Sequence, residues 1–219
     1  MVEKNGEDNQ KSKSWVKEIA ISAILIVIAL ALLTPCQFKA IERAAMAEAI
    51  SNARQVKLAL DAFAMDFDGQ FPSESLHQKL GTRGSSSNAL FRQLFVAEST
   101  EAEVIFWVKN SSVANEDAPD DQKPILRNGE VHWAYLHGLK NDGPEEAPII
   151  VDPWKPQTHH FDPKLWENKA IVVRVDGSAK PIRLQPSSSL LLDQENKNLL
   201  SAESSVWNDA APDLRQPEL

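Results

Sequence analysis

The chain has 219 residues, 42% of them hydrophobic, and a formal net charge of −8, enough for one sizeable domain with a real core plus an anchor and a tail. Four lysines and four acids cancel within the first 36 residues, so the acidic excess lies beyond them and excludes the basic footprint of a nucleic-acid binder. A single cysteine, Cys36, excludes an internal disulfide.

Residues 1–14 are polar and of mixed charge, which predicts a disordered cytoplasmic tail. A long helix is expected next. Its first part, 15–38, reads as a transmembrane helix. The run Ile19–Leu33 (IAISAILIVIALALL) has Ser22 as its one polar residue. At ~1.5 Å per residue it covers ~22 Å of a ~30 Å hydrocarbon core. Trp15 and Val16 before it and Thr34 to Phe38 after it make up the length, with Lys17 snorkelling. Pro35 stands where a cleavable signal needs a small residue, so an uncleaved single-pass anchor fits best. Lysines and arginines flank both ends and barely vote on orientation. The short N-terminal side favours an inner-membrane protein with its C-terminal domain outside.

From Met46 the apolar positions Met46, Ala49, Ala53, Val56, Leu60, Phe63 and Phe67 alternate steps of three and four, which marks an amphipathic helix facing a core. Lys57 and Asp61 are placed to pair. The helix is expected to stop at Asp66-Phe67-Asp68-Gly69-Gln70-Phe71-Pro72, with Gly69 as a left-handed cap and Pro72 blocking its resumption. Asp66-x-Asp68-Gly69 looks like the start of a calcium loop, but the other ligands of an EF-hand are missing and a simple stop is preferred. No metal is assigned.

A short helix over Ser73–Lys79 and a flexible loop at 81–87 follow. That loop lacks the Lys-Ser/Thr of a P-loop. Ser87 or Asn88 is expected to cap a helix running through Glu98. Glu103–Lys109 (EVIFWVK) predicts a short strand or a buried segment, and Asn110–Lys123 a loop. Strands are expected at Glu130–Gly138, Pro148–Val151, Ala170–Val175 and Ala179–Leu184, the last two joined by an Asp176-Gly177-Ser178 hairpin. Strands so close in sequence make an antiparallel meander. The stripe from Met46 to Phe67 is the available cover, giving an α+β domain over 39–184. The tail, 185–219, is expected to be largely disordered, with the leucines at 190–192 and 199–200 able to dock a short helix. His159, His160 and Asp162 lack a third strong metal ligand. No nucleophile elbow is present, so neither enzymatic activity nor a cofactor is expected.

Glu18 opens the apolar run and Pro35 closes it seventeen residues later. That spacing resembles the N-terminal helix of type IV pilins and type II secretion pseudopilins. The stretch from Ser51-Asn52-Ala53-Arg54-Gln55 to Phe71-Pro72 is similar to one in pseudopilin-like proteins, and Asp152-Pro153-Trp154 is similar to their Asp-Pro-Trp. Lys13 stands where the family carries its processing glycine, so the resemblance is to a diverged member. It implies a pilin-like fold, with a long N-terminal helix on a small antiparallel sheet, and a structural or accessory subunit of a type II secretion or type IV pilus-like system. Glu18 and Pro35 are then the subunit-assembly residues, and Asp66, Asp68 and Gly69 form the helix-terminating turn. The implied partners are the lipid bilayer and like subunits or other pseudopilins, met through the transmembrane helix. The alternative is a membrane-tethered binding module of the same architecture that does not polymerise, which Lys13 favours.

Overall fold

The structure, a computed structural model, describes residues 4–109, 111 and 125–218. Within the first helix it places side chains at Trp15, at 21–24 and from Lys39 onward. The chain divides into two compact units, Met1–Ala44 and Ala45–Leu219. Helix α1 is assigned over Lys4–Asp66 and thus begins inside the stretch 1–14, for which composition predicts disorder. Among the described residues no helix is long and apolar enough to cross a membrane. This overturns the membrane-spanning first part of the predicted fold. The single-pass inner-membrane location and the transmembrane pseudopilin description expected with it fall as well. The physical reason is length. The strictly apolar run is about a quarter short of a hydrocarbon core, and Lys17 and Glu18 border it directly.

In the second unit α1 keeps one face for the core. Ala45, Ala49, Ala53, Val56, Leu60, Phe63 and Phe67 are buried in steps of three or four. Phe63 and Phe67 stack with their ring centroids 4.1 Å apart. Lys57 is buried beside this stripe, and its Nζ meets Asp61 at 2.5 Å. The helix ends at Asp66. Asp68 and Gly69 take left-handed conformations, with φ of 53° and 77°, and the Gly69 amide donates to the carbonyl of Ala64. A side chain at Gly69 would meet Asn141 Oδ1 at 2.6 Å. The Asn141 amide returns a bond to the carbonyl of Gly69, so this turn is fastened to a loop far along the chain.

Short helices follow: α2 (His77–Leu80) and α3 (Ser87–Val96). Ser86, one residue before the expected cap, accepts the Ala89 amide at the start of α3. The segment Glu103–Phe106 is a 3-10 turn rather than a strand. It still buries Ile105 and Phe106. The loop expected at Asn110–Lys123 lies, apart from Ser111, outside the described residues.

Strands β1 (Ala134–His137), β2 (Pro148–Val151), β3 (Lys169–Arg174), β4 (Ala179–Arg183) and β5 (Asp213–Arg215) form one antiparallel sheet in the order β4-β3-β2-β1-β5. The β3–β4 hairpin turns at Gly177, φ 80°, and the Asp176 carboxylate accepts the Ser178 amide. Burial raises the Asp176 pKa, but the Ser178 hydrogen bonds and the charges of Arg174 and Lys180 outweigh it and hold the group below the ordinary carboxylate value.

Both faces of the sheet are buried. Tyr135, Ile150, Ile171 and Val173 join the core under the α1 stripe and α3. Their alternate neighbours Ala134, Leu136, Val151, Ala170 and Val172 join a second core with Phe161, Leu184, Leu191, Leu199 and Leu200. The segment expected to be a largely disordered tail therefore supplies the cover of one face and then the edge strand β5. Its leucines dock without a helix of their own, through turns such as the one in which the Leu199 amide donates to the carbonyl of Leu191. Burying an apolar side chain of this size is worth ~1.5–3 kcal/mol, and the exposed sheet face is what makes that burial available.

Gly69→Ala adds both a left-handed penalty and a clash, whereas Gly177→Ala adds the conformational penalty alone, since nothing lies within 4 Å of a side chain there. Urea unfolding should show Gly69→Ala destabilised by ~2–3 kcal/mol and Gly177→Ala by about 1 kcal/mol. Equal losses would show that the fastening to Asn141 contributes nothing.

Candidate functional site

The main meeting of chemistry-bearing side chains is buried between the ends of β1 and β2. His132 precedes β1 and Asp152 follows β2, and the pairing of Ala134 with Val151 brings them together. His132 Nε2 lies 2.7 Å from Asp152 Oδ1. Asp152 Oδ2 accepts Trp166 Nε1 at 3.0 Å and the Ile171 amide at 2.6 Å. The Asp152 amide donates to the carbonyl of Ile171, and the His132 amide to that of Phe106. The two residues are 2% and 3% exposed. A carboxylate has only acceptors to offer, so the imidazole carries its hydrogen on Nε2.

This arrangement ties His132 ahead of β1, strand β3 and the Trp166 loop to one carboxylate at the end of β2, and the His132 amide adds the 3-10 turn at 103–106. A histidine–carboxylate pair is also half of an acid–base device. Here both side chains are buried, and both carboxylate oxygens are already committed to internal donors. Its work is to hold elements together. Tyr135 is similar. Its hydroxyl donates to the carbonyl of Pro72 at 3.0 Å, and burial pushes the phenol well above its ordinary range.

The sequence-predicted site residues fall elsewhere. The side chains of Glu18 and Pro35 lie outside the described residues. Asp66, Asp68 and Gly69 sit together at the end of α1, with both aspartates exposed. Among the described residues no three or more histidine, cysteine or acidic side chains are grouped as metal ligands would be. His159 stacks on Trp154 at 4.8 Å between ring centroids, so it packs against a tryptophan. The His132–Asp152 pair was passed over in sequence because the two are twenty residues apart. The available signal was an aspartate directly after the apolar run 148–151.

The exposed surface carries a second kind of candidate. On the outward side of α1, Glu48, Ser51, Gln55, Leu58, Ala62 and Met65 recur in steps of three and four and are all exposed. Leu58 is 66% exposed and Met65 81%. Seven residues separate them, so they share one helix face.

Asp152→Ala removes the acceptor of three buried donors. It should cost at least ~3 kcal/mol in urea unfolding. Asp162→Asn, on the exposed loop, should stay within about 0.5 kcal/mol of the parent. A mild Asp152→Ala phenotype would show that the node is not a structural tie.

No family, no curated protein and no solved structure matches this chain.

Proposed function

We propose that the protein is a non-catalytic contact module, a structural or accessory subunit that works through its surface. The observation that carries this is the outward stripe of α1. A helix already anchored by one buried face has no folding reason to present Leu58 and Met65 to water on the other. Two large apolar side chains one heptad apart, with Ala62 between them, suit the close approach of a second helix. Gln55, Ser51 and Glu48 continue the stripe with polar groups that would set register rather than affinity. The module either assembles with further copies of the chain or binds a different protein and does not polymerise.

Sedimentation velocity over a range of concentrations separates the two forms. Self-association that is weakened ten-fold or more by Leu58→Glu with Met65→Glu supports the assembling subunit, in line with apolar anchors worth ~1–2 kcal/mol each. A monomer at every concentration leaves the binding module, which then requires a purified partner whose affinity the same double variant lowers. The thermal midpoint should move by less than two degrees, because neither side chain is in the core. The proposal is refuted if the two substitutions weaken neither self-association nor the binding of a purified partner.

A further inference from the structure

The last element of the fold is held differently from the rest. No residue from Asn208 to Glu218 is buried. Strand β5 is three residues long and pairs with β1 alone, Asp213 opposite His137, Leu214 opposite Leu136 and Arg215 opposite Tyr135. Beyond it the chain is fixed by polar contacts. The Gly129 amide donates to the Glu218 carbonyl and the Ser87 amide to that of Gln216. Ser86 Oγ donates to the Glu218 carboxylate at 2.6 Å, and the Glu218 amide donates to Asn88 Oδ1 at 2.8 Å. Arg215 reaches Glu74 at 2.9 Å.

Two features make this attachment exchangeable. The first is the approach. Residues 208–211 are exposed, and Asn208 and Asp209 hold left-handed conformations with φ of 47° and 64°. They turn the chain, and Pro212 keeps it extended beyond the turn. Reopening that turn costs no core contact. The second is the seam. Buried polar atoms without a hydrogen-bond partner gather there: His137 Nε2, Trp154 Nε1, Arg215 Nε and Gln216 Nε2. Each unsatisfied group subtracts from what the docked segment contributes.

The slot is nonetheless selective. His137 Nδ1 meets Asp213 Oδ2 at 3.0 Å. Leu214 packs on the second core, Arg215 finds Glu74, and Glu218 lies 3.8 Å from Arg92. Four successive matches of charge and shape read this segment's own sequence. An unrelated extended peptide would supply the backbone bonds and few of the side-chain ones. We infer that the slot beside β1 accepts the segment Asp213–Glu218 from a second copy of the chain as well as from its own, so that two copies exchange β5 reciprocally. Every contact of the closed form is then remade across the two-fold, and only the 208–212 hinge changes. The edge of β1, otherwise open to arbitrary strands, stays covered in both states.

The exchange is tested in the full chain with Cys36→Ser as background. One preparation carries His137→Cys and another Asp213→Cys. Paired strand residues lie close enough for a disulfide. Equal amounts are mixed, refolded together from urea at low and high concentration, oxidised and run on a non-reducing gel. Asp213→Cys mixed with Lys180→Cys, on the far edge of the sheet, controls for random collision. Exchange predicts a disulfide-linked dimer of the first pair that rises with concentration and exceeds the control at least five-fold. It also predicts that Leu58→Glu with Met65→Glu leaves that band unchanged, which separates this interface from contact through α1. A band no stronger than the control at either concentration, or one abolished by the α1 substitutions, overturns the exchange.

Discussion

A sheet whose two faces are both apolar must be covered twice, and nearly everything else in the second unit follows from that requirement. In β3 the side chains alternate strictly between the two cores: Ile171 and Val173 on one side, Ala170 and Val172 on the other. Neither set can face water without losing several kcal/mol. One cover is a regular helix with an apolar stripe. The other is an irregular segment whose leucines are spaced by turns. The second kind is possible because a leucine needs only a dry surface, while its backbone groups find partners in local turns at the rim. The edge strand β5 is then a consequence of the path the cover takes back across the sheet.

The polar interior obeys the same economy. Asp152 sits where β2 leaves the sheet, and its carboxylate gathers donors from His132, Trp166 and Ile171. A buried carboxylate is costly unless its acceptors are filled. Once filled by groups from three separate segments, it fixes their positions relative to one another more sharply than apolar contact does. Gln93 works in the same manner on the other side of the core, exchanging bonds with both backbone groups of Ser73.

How far the sequence disclosed this depends on how local each signal was. The α1 stripe was legible because a helix repeats its buried face every turn, and Ala49, Ala53, Val56, Leu60, Phe63 and Phe67 state that repeat six times over. The β3–β4 hairpin was legible because Asp176-Gly177-Ser178 is a complete turn in itself. The second cover was not. Leu191, Leu199 and Leu200 have no period and stand among Pro, Ser, Asn and Asp, a composition that reads as solvated. A sign was present in Ala170-Ile171-Val172-Val173, an unbroken apolar run of the kind found when both faces are buried. It required a second cover that only the tail could provide. The apolar run Ile19–Leu33 erred the other way. Its composition suggested lipid strongly, but its length, with Lys17 and Glu18 at the border, did not support a crossing. The His132–Asp152 node was hidden because strand register, not sequence spacing, creates it.

On the proposed reading, the protein's specificity lies in its surfaces. The groups best suited to proton chemistry are enclosed and already bonded. Two kinds of incompletely satisfied group lie at edges. On α1 they are apolar side chains without a cover. Along β5 they are polar atoms without partners. An apolar deficit is relieved by any surface that excludes water, so it selects for shape. The slot beside β1 is filled in full only by groups in the correct register, so it selects for sequence. On the proposed reading, a chain that carries both meets one neighbour through helix packing and a second copy through strand exchange.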